Sequence, residues 1–236
     1  MSFLKDALAV FKKNELSFLE KRRESGDVYT FLFEKNDELT WHAGQYGLFT
    51  VMHKKIKYAT KPFSIASSPA EGVVRITTGT GQQPSEFKQA LLELEQGMKI
   101  RMSDSVGSFY LKGGGPALLI AGGIGITPFR AMVKQLETEG GGTGKQVKLL
   151  YLDSRRNYLF QPELDEAVSR GVIDAAYLAT RDELYEEIER FANVRQENGD
   201  YYIAGSKSMV DSMVDHLGGK GVSKRNVHKD TFTGIQ

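Results

Sequence analysis

The sequence predicts a protein of mixed class, with a six-stranded antiparallel β-barrel followed by a parallel-sheet α/β domain. Three observations lead to this prediction. Short strand signals separated by turn residues fill the first half of the chain. Strands alternate with helices in the second half. A glycine-rich break at 112–116 separates the two patterns, and 236 residues are enough for two modest domains.

Residues 1–15 are predicted to form an N-terminal amphipathic helix, because apolar side chains recur there at roughly helical spacing. Packing on the body of the protein is the first interpretation, and docking on a membrane surface or a partner is the alternative. The segment has no cationic start followed by an apolar block. It is therefore not interpreted as a signal peptide, and we expect a cytoplasmic protein.

Residues 16–112 form the predicted barrel domain. Its strand candidates are β-branched and aromatic, and Gly, Pro, Asn or Asp residues punctuate most of them. A single helix is predicted among them, at Pro84–Leu94, where Pro and Ser precede one apolar face. The strand candidates are Ser17–Glu24, Val28–Glu34, Gln45–Met52, Phe63–Ser67, Val73–Thr78, Met98–Ser103 and Ser108–Lys112.

Residues 113–236 form the predicted α/β domain, whose alternating pattern indicates right-handed crossovers and a parallel sheet. The predicted strands are Ala117–Ala121, Val147–Leu152, Ile173–Leu178 and Tyr201–Ala204. The predicted helices are Pro128–Thr138, Gln161–Arg170, Arg181–Phe191 and Ser206–Leu217. The glycine run at 140–144 follows a helix, and we interpret it as a surface loop.

The segment Ala117–Met132 organises the second domain, since it combines a buried strand, a glycine turn and the start of a helix. Gly123 and Gly125 allow a sharp bend close to a ligand. Thr127 is a natural N-cap and Pro128 suits the first helical position. A helix that starts behind such a turn suits a phosphate. The turn lacks the third glycine of a dinucleotide fingerprint, so a tight turn without a ligand is the alternative.

Composition excludes several kinds of site. A net charge of +1 gives no reason to expect nucleic-acid binding. The absence of cysteine removes disulfides, thiolate metal sites and cysteine-ligated clusters. The four histidines lie far apart, so no metal site is predicted. No apolar run is long enough for a membrane span.

Seven segments, in the same order along the chain, resemble motifs of the ferredoxin–NADP reductase-like flavoproteins. Lys61–Ser64 places a cation, an aromatic ring and a hydroxyl on one strand. It resembles the flavin motif Arg-x-Tyr/Phe-Ser/Thr of that family, with lysine in place of arginine. The resemblance covers residues 16–236. The other six segments are Ala43–Tyr46, Gln83–Ser85, Gly107–Phe109, Ala121–Arg130, Tyr201–Met209 and Asp230–Phe232.

The resemblance implies a barrel that binds FAD and a Rossmann-like domain that binds NAD(P), with hydride passing between the two cofactors. It implies catalytic roles for Ser64, near flavin N5, and for Asp230. Asp230 stands where the family has glutamate, and a surface acid is the alternative interpretation. The implied FAD contacts are Lys61, Pro62, Phe63, Ser64, Thr77, Thr78, Gln83, Pro84, Ser85 and Phe232.

The implied nucleotide contacts follow the carboxyl ends of the parallel strands. Thr180 and Arg181 resemble a segment that reads a 2′-phosphate, whereas Asp153 suits a ribose hydroxyl. This balance of charge favours NADPH, with NADH possible. Solvated loop cations are the alternative interpretation of the arginines. The implied contacts are Gly123, Gly125, Thr127, Pro128, Asp153, Ser154, Arg155, Thr180, Arg181, Gly205, Lys207 and Met209.

We therefore expect an NAD(P)H-dependent flavoprotein reductase that donates electrons to a separate acceptor, such as a ferredoxin, flavodoxin, haem protein or ferric chelate. Lys54, Lys55 and Lys57 near the flavin motif could steer an acidic carrier, although a solvated hairpin tip is the favoured interpretation. Two other classes stay open. One is a non-enzymatic electron-transfer subunit that binds FAD, and the other is a ligand-binding module that has lost the cofactor.

Overall fold

The computed structural model describes residues 9–10, 12–140, 146–195 and 199–232. The chain divides between Tyr110 and Leu111 into two compact units. Each unit has its own sheet and its own buried core. The two units are therefore described separately below.

The first unit is built on six antiparallel strands and one helix. The strands run in the order β4-β3-β6-β1-β2-β5. Just beyond β4, the Ala66 N–H donates to the Arg75 carbonyl of β5 at 2.8 Å, which links the two ends of the sheet. The predicted barrel is therefore confirmed. Its elements are β1 (Lys13–Ser25), β2 (Val28–Glu34), β3 (Tyr46–Val51), β4 (Thr60–Ser64), β5 (Val73–Gly79), α1 (Glu86–Leu92) and β6 (Lys99–Ser103).

Aromatic side chains fill this barrel. Phe18 packs edge-on against Phe33, with ring centroids 5.6 Å apart, and Phe49 lies 6.3 Å from Phe33. The helix α1 adds Phe87 and Leu91 to the same buried cluster. Large rings supply most of the apolar area that a barrel of this size can bury.

Two strand predictions for the first unit are wrong in detail, and one helix prediction falls mostly outside the described residues. Ser108–Lys112 is not a strand, because Gly107 turns the chain at φ +97° after a single bridge between Val106 and Tyr46. The strand predicted at Phe63–Ser67 lies at Thr60–Ser64, where it pairs with β3. Residues 1–8 and 11 of the predicted N-terminal helix lie outside the described residues. Residues 9–10 are helical, and the chain is already extended at residue 13, where β1 pairs with β6.

The second unit is a five-stranded parallel sheet with helices between its strands. The strand order is β11-β10-β7-β8-β9, so β7 lies in the middle. Its strands are β7 (Ala117–Gly122), β8 (Val147–Leu152), β9 (Asp174–Leu178), β10 (Asp200–Ser206) and β11 (Val227–Phe232). Its helices are α2 (Ile126–Thr138), α3 (Gln161–Ser169), α4 (Arg181–Arg195) and α5 (Lys207–Gly219). The predicted alternation is confirmed, and β11 is a strand that sequence analysis missed.

The start of α2 differs from the prediction. A 3₁₀ turn at Gly123–Gly125 leads directly into the helix at Ile126, with Gly125 at the N-cap. Thr127 is therefore a buried residue of the first turn and not the cap. The predicted apolar face of this helix, which includes Phe129 and Met132, is buried as expected. Residues 141–144 of the predicted glycine-rich loop lie outside the described residues.

Candidate functional site

The turn after β7 exposes one glycine to open space. Gly123 has φ +53°, a left-handed conformation that glycine adopts without strain. A Cβ built at this position would meet no atom within 4 Å. A ligand can therefore approach the main chain at Gly123 more closely than at any residue that carries a side chain.

The other glycines of this region are needed because a side chain at their positions would collide with neighbouring atoms. A Cβ on Gly125 would overlap the main-chain carbonyl of Ala204 in β10. A Cβ on Gly122 would overlap the sulfur of Met209 in α5, and one on Gly205 would lie 3.0 Å from the same sulfur. These glycines hold the turn after β7 tightly against the end of β10.

The chain changes direction across the sheet beside β7. It passes from β7 outward to β8 and β9, and then returns to the other side of β7 as β10. In open α/β sheets, ligands bind outside the carboxyl ends of the strands at such a reversal. The sheet brings two groups of predicted nucleotide contacts together at this point, namely Gly123, Gly125, Thr127 and Pro128 after β7, and Gly205, Lys207 and Met209 after β10.

A buried ion pair fixes the start of α2. Arg130 is 2% exposed, and its Nη2 lies 2.5 Å from Glu163 Oε2 in α3. The guanidinium also lies over the ring of Phe160, 5.4 Å from the centroid. Lys134 reaches the same Glu163 carboxylate at 3.5 Å. This network holds α2 against α3 and so stabilises the position of the glycine turn that precedes α2.

Asp153, after β8, already binds its own loop. Its Oδ1 accepts hydrogen bonds from the main-chain N–H of Arg155 at 2.8 Å and of Asn157 at 3.3 Å. The Asp153 N–H donates to the Leu178 carbonyl of β9 at 3.0 Å. The carboxylate thus shapes the 153–157 loop, while Ser154 and Arg155 are exposed. A carboxylate occupied in this way is a weaker candidate for a ribose hydroxyl than the sequence suggests.

Thr180 and Glu183 cap the start of α4 reciprocally. The Glu183 carboxylate accepts hydrogen bonds from the N–H groups of Ala179 at 2.8 Å and of Thr180 at 3.0 Å. The Glu183 N–H donates to the Thr180 hydroxyl at 3.3 Å. The N–H groups of Thr180 and Ala179 hold the pKa of Glu183 below its ordinary value. Arg181 is exposed beside this cap.

A cluster of tyrosines lies beside these loops, and sequence analysis missed it. The ring of Tyr158 lies 5.2 Å from that of Tyr151 and 5.0 Å from that of Tyr177. The Tyr151 hydroxyl accepts a hydrogen bond from the Leu159 N–H, and the Tyr177 hydroxyl donates to Asp165 at 2.6 Å. Burial raises the pKa of both Tyr151 and Tyr177. These rings support the loop after β8 from within.

The flavin-type motif of the first unit lies on β4, at one end of the sheet order. Lys61 and Pro62 are exposed, while Phe63 and Ser64 are half-buried. The Phe63 ring packs against two protein rings, stacked on Phe87 at 5.6 Å and edge-on to Phe49 at 6.0 Å. Phe63 therefore packs against the barrel core, and stacking of its ring on a flavin stays a prediction. Pro62 lies on an end strand, as its missing N–H requires.

The segment Gln83–Ser85 leads into α1, a helix of seven residues. The Ser85 hydroxyl is its N-cap and accepts a hydrogen bond from the Lys88 N–H at 3.4 Å. The adjoining loop is held by Asp27, whose carboxylate accepts a hydrogen bond from the Gly81 N–H at 2.6 Å. Burial lowers the pKa of Lys88, against the charge of Asp27. Gln83 and Ser85 are exposed, and Pro84 is half-buried.

The two threonines predicted on β5 are buried. The Thr77 hydroxyl pairs with the Thr30 hydroxyl at 2.7 Å, and the Thr78 hydroxyl donates to the Gly79 carbonyl at 3.2 Å. Neither position is exposed by more than 7%. Both hydroxyls already take part in internal hydrogen bonds, so a contact with FAD at either position stays a prediction.

The two predicted C-terminal contacts lie on β11. Asp230 is in register with Ala204 of β10, and Phe232 is in register with Ser206. Both residues are half-buried at the carboxyl end of the strand. The parallel pairing therefore places them at the same edge of the sheet as the glycine turn, although sequence analysis did not recognise the strand.

Comparison with known proteins supports this architecture. Residues 119–215 match the family described as Oxidoreductase NAD-binding domain. The ferredoxin–NADP+ reductase of Plasmodium falciparum superposes with a TM-score of 0.79 at 18% identity, over 93% of this chain and 96% of that one. The chain has a ferredoxin–NADP reductase-like fold. The resemblance that its seven segments indicate is thereby confirmed at the level of fold and of the nucleotide domain.

The chain is also similar to a dioxygenase component and to two proteins of flavohaem type. The flavohem-like FAD/NAD-binding domain of nitric oxide dioxygenase from Vibrio cholerae has a TM-score of 0.76 at 22% identity, over 92% of this chain and 98% of that one. The toluate 1,2-dioxygenase electron transfer component of Pseudomonas putida is 26% identical over 73% of this chain and 54% of its own length. The flavohemoprotein of Rhizobium meliloti is 27% identical over 90% of this chain and 59% of its own length. The chain thus spans little more than half the length of these curated relatives.

Two kinds of feature, a membrane-spanning helix and a metal-binding cluster, are absent from the residues that the structure describes. None of the helices described is both long and apolar enough to cross a bilayer. No group of three His, Cys, Asp or Glu side chains in the described ranges is arranged to hold a metal ion.

Proposed function

We propose that this protein is a FAD-dependent NAD(P)H oxidoreductase that takes hydride from NAD(P)H and passes electrons to a separate acceptor. One observation carries the proposal. At the point where the strand order reverses, Gly123 presents main chain to open space, and Gly125 lies directly against Ala204. A dinucleotide needs such close approach of main chain to its phosphates and to its nicotinamide ring.

The residues of the first unit fit FAD by their chemistry. Lys61 is an exposed cation that suits a diphosphate. Its ammonium group acts as a point charge, whereas an arginine guanidinium would bind two phosphate oxygens at once. It lies on β4, an end strand whose outer edge suits the polar edge of a flat ring. The Ser64 hydroxyl, on the same strand, can donate or accept a hydrogen bond. Gln83 and Ser85 lie close to this strand in the fold, because Phe87 of α1 stacks on Phe63.

When bound, FAD supplies the ability to accept a hydride and to release electrons one at a time. The chain itself contributes position and electrostatics. We assign Ser64 to a hydrogen bond near flavin N5, and Lys61 to neutralising the diphosphate. Gly123 and the start of α2 hold the nucleotide phosphates. Asp230, in register with Ala204, is the assigned proton-exchanging group at this edge.

We assign NADPH as the preferred reductant. Arg181 and Arg155 are exposed cations at the carboxyl ends of β9 and β8. Asp153, the residue that argues for NADH, uses its carboxylate to hold the main chain of its own loop. Charge complementarity at this edge therefore favours a 2′-phosphate over a bare ribose.

The spectrum of the purified protein tests the proposal. We expect a yellow protein with a flavin absorbance band, which NADPH bleaches under anaerobic conditions. A protein that takes up neither FAD nor FMN contradicts the proposal and favours a ligand-binding module. A bound flavin that neither NADPH nor NADH reduces would instead favour a non-enzymatic electron-transfer subunit. The ratio of kcat/KM for NADPH to that for NADH tests the assigned preference.

A further inference from the structure

An exposed tyrosine lies between two lysines at the base of the hairpin that joins β3 to β4. Tyr58 is 62% exposed. The Nζ atoms of Lys57 and Lys61 each lie 5.3 Å from the centroid of its ring. The sequence motifs predict a flavin contact for Lys61 but no role for Tyr58.

The hairpin is held in place, so the exposure of Tyr58 is a fixed feature of the fold. The Val51 N–H donates to the Ala59 carbonyl at 2.9 Å, which closes the hairpin next to the tyrosine. Ile56 packs against the barrel core. Lys54, at the tip, pairs with Glu93 at the end of α1, with Nζ 2.8 Å from Oε1 and 3.0 Å from Oε2.

Two charged groups lie over the Tyr58 ring, and both are lysine ammonium groups. Lys54 is neutralised by Glu93. In the part of the chain that the structure describes, no carboxylate pairs with Lys57 or Lys61. An exposed aromatic ring with two unneutralised cations against it offers the groups that bind a purine base carrying phosphates, since the ring can stack on the base once the ammonium groups turn to the phosphates.

We propose that Tyr58 is the stacking platform for the adenine of FAD, with Lys57 and Lys61 on its diphosphate. This inference rests on the proposed function. Lys61 belongs to both groups, because it begins the β4 segment assigned to the flavin and also lies against the tyrosine ring. The AMP half of FAD extends from the diphosphate, so one cation in contact with both features places the adenine at Tyr58. The protein then selects FAD over FMN, which has no AMP half.

Flavin titrations of the full-length protein, stripped of flavin, test this proposal. Dissociation constants for FAD and for FMN are measured by quenching of flavin fluorescence in the wild type and in Tyr58→Ser, Tyr58→Phe and Lys55→Gln. Loss of one base-stacking ring should weaken FAD binding about tenfold in Tyr58→Ser. FMN binding should change less than about twofold, because its contacts stop at the first phosphate.

The two other variants are matched controls. Tyr58→Phe keeps the ring and should keep the FAD affinity. Lys55→Gln removes an exposed charge of the same hairpin that does not lie over the ring, and it should also leave FAD binding unchanged. Thermal unfolding of each variant, measured without flavin, checks that the fold is intact.

Different results separate this inference from the proposed function. A wild type that binds no flavin contradicts the proposed function. A wild type that binds FAD and FMN equally well, or a Tyr58→Ser variant with unchanged FAD affinity, overturns the inference alone. An unchanged FAD affinity with a raised KM for added ferredoxin in Tyr58→Ser would likewise overturn it, and would assign this surface to the electron acceptor.

Discussion

Gly125 lies so close to Ala204 that a Cβ at position 125 would overlap the main-chain carbonyl of Ala204. The contact joins the turn after β7 to the end of β10, two segments that are far apart in the sequence. Main chain on both sides leaves no flexible atom that could move aside. The glycine is therefore required by packing, although its φ of −61° is ordinary for any residue.

We predict that Gly125→Ala lowers the free energy of unfolding by about 2–3 kcal/mol, because the methyl group must push the turn after β7 away from the end of β10. Urea unfolding followed by circular dichroism measures this change. Gly123→Ala is the matched control. Its Cβ meets open space, so only the strain of the left-handed conformation remains, about 1 kcal/mol. A loss at position 123 that equals or exceeds the loss at position 125 would contradict the packing argument.

Ser64→Ala should retain FAD but slow reduction of the flavin by NADPH at least about tenfold, since a hydrogen bond at the reacting atom is lost. Single-turnover stopped-flow absorbance under anaerobic conditions measures the rate directly. Thr60→Ala, on the same strand, removes an exposed hydroxyl that pairs with Thr50 and should leave the rate unchanged. An unaltered reduction rate in Ser64→Ala would rule out the assigned role.

Arg181→Ala should raise the KM for NADPH about tenfold and change the KM for NADH less than about twofold, because only NADPH carries the 2′-phosphate. Steady-state kinetics with a ferricyanide acceptor provide both values. Arg190→Ala, on the same helix but paired with Glu186 and Glu187, is the control and should affect neither cofactor. Equal effects of Arg181→Ala on the two cofactors would exclude its role in cofactor choice.

The cap formed by Thr180 and Glu183 predicts a dependence of stability on pH. Two main-chain N–H groups lower the pKa of Glu183 in the folded protein below 4.5, so the carboxylate stabilises the fold above that pH. This contribution is lost as the pH falls through the lowered folded-state pKa. The wild type should therefore exceed Glu183→Gln in stability at neutral pH, and the difference should shrink at about pH 3.

Urea unfolding of both proteins at the two pH values checks this prediction. Glu186→Gln is a suitable control, because Glu186 is exposed on the same helix and pairs only on the surface with Arg190. A difference between the wild type and Glu183→Gln that stays constant across the pH range would show that the cap does not depend on charge.

The elements of the second unit were predictable because their signals are local. Val147–Leu152 is an apolar run with turn residues nearby, and it is a strand within the bounds predicted. Val227–Phe232 was missed because its alternation includes a histidine, a lysine and an aspartate, which blur the apolar pattern of an end strand. Only its parallel pairing with β10 reveals it as a strand and places Asp230 beside Ala204.

The candidate site was predictable in its location but not in the roles of its residues. The sequence presents Gly123 and Gly125 as equivalent, and the structure separates a glycine open to a ligand from a glycine enclosed by main chain. Asp153 and Thr180 were predicted to face the nucleotide, and both also bind their own loops. Tyr58 carries no periodic signal, since a single exposed ring in a hairpin looks the same in sequence whether or not cations flank it.

The sequence by itself determined the change from strands to alternating strands and helices, the glycine-rich break between the two patterns, and the segments that resemble a reductase. These features depend on residues that are neighbours in the chain, and hydrophobic period and turn chemistry report on such neighbours. Only the tertiary structure decided which glycine faces open space, which carboxylates are already bound, and which exposed ring lies against two lysines. Each of these depends on atoms brought together from distant positions, and the order of residues along the chain does not encode their distances.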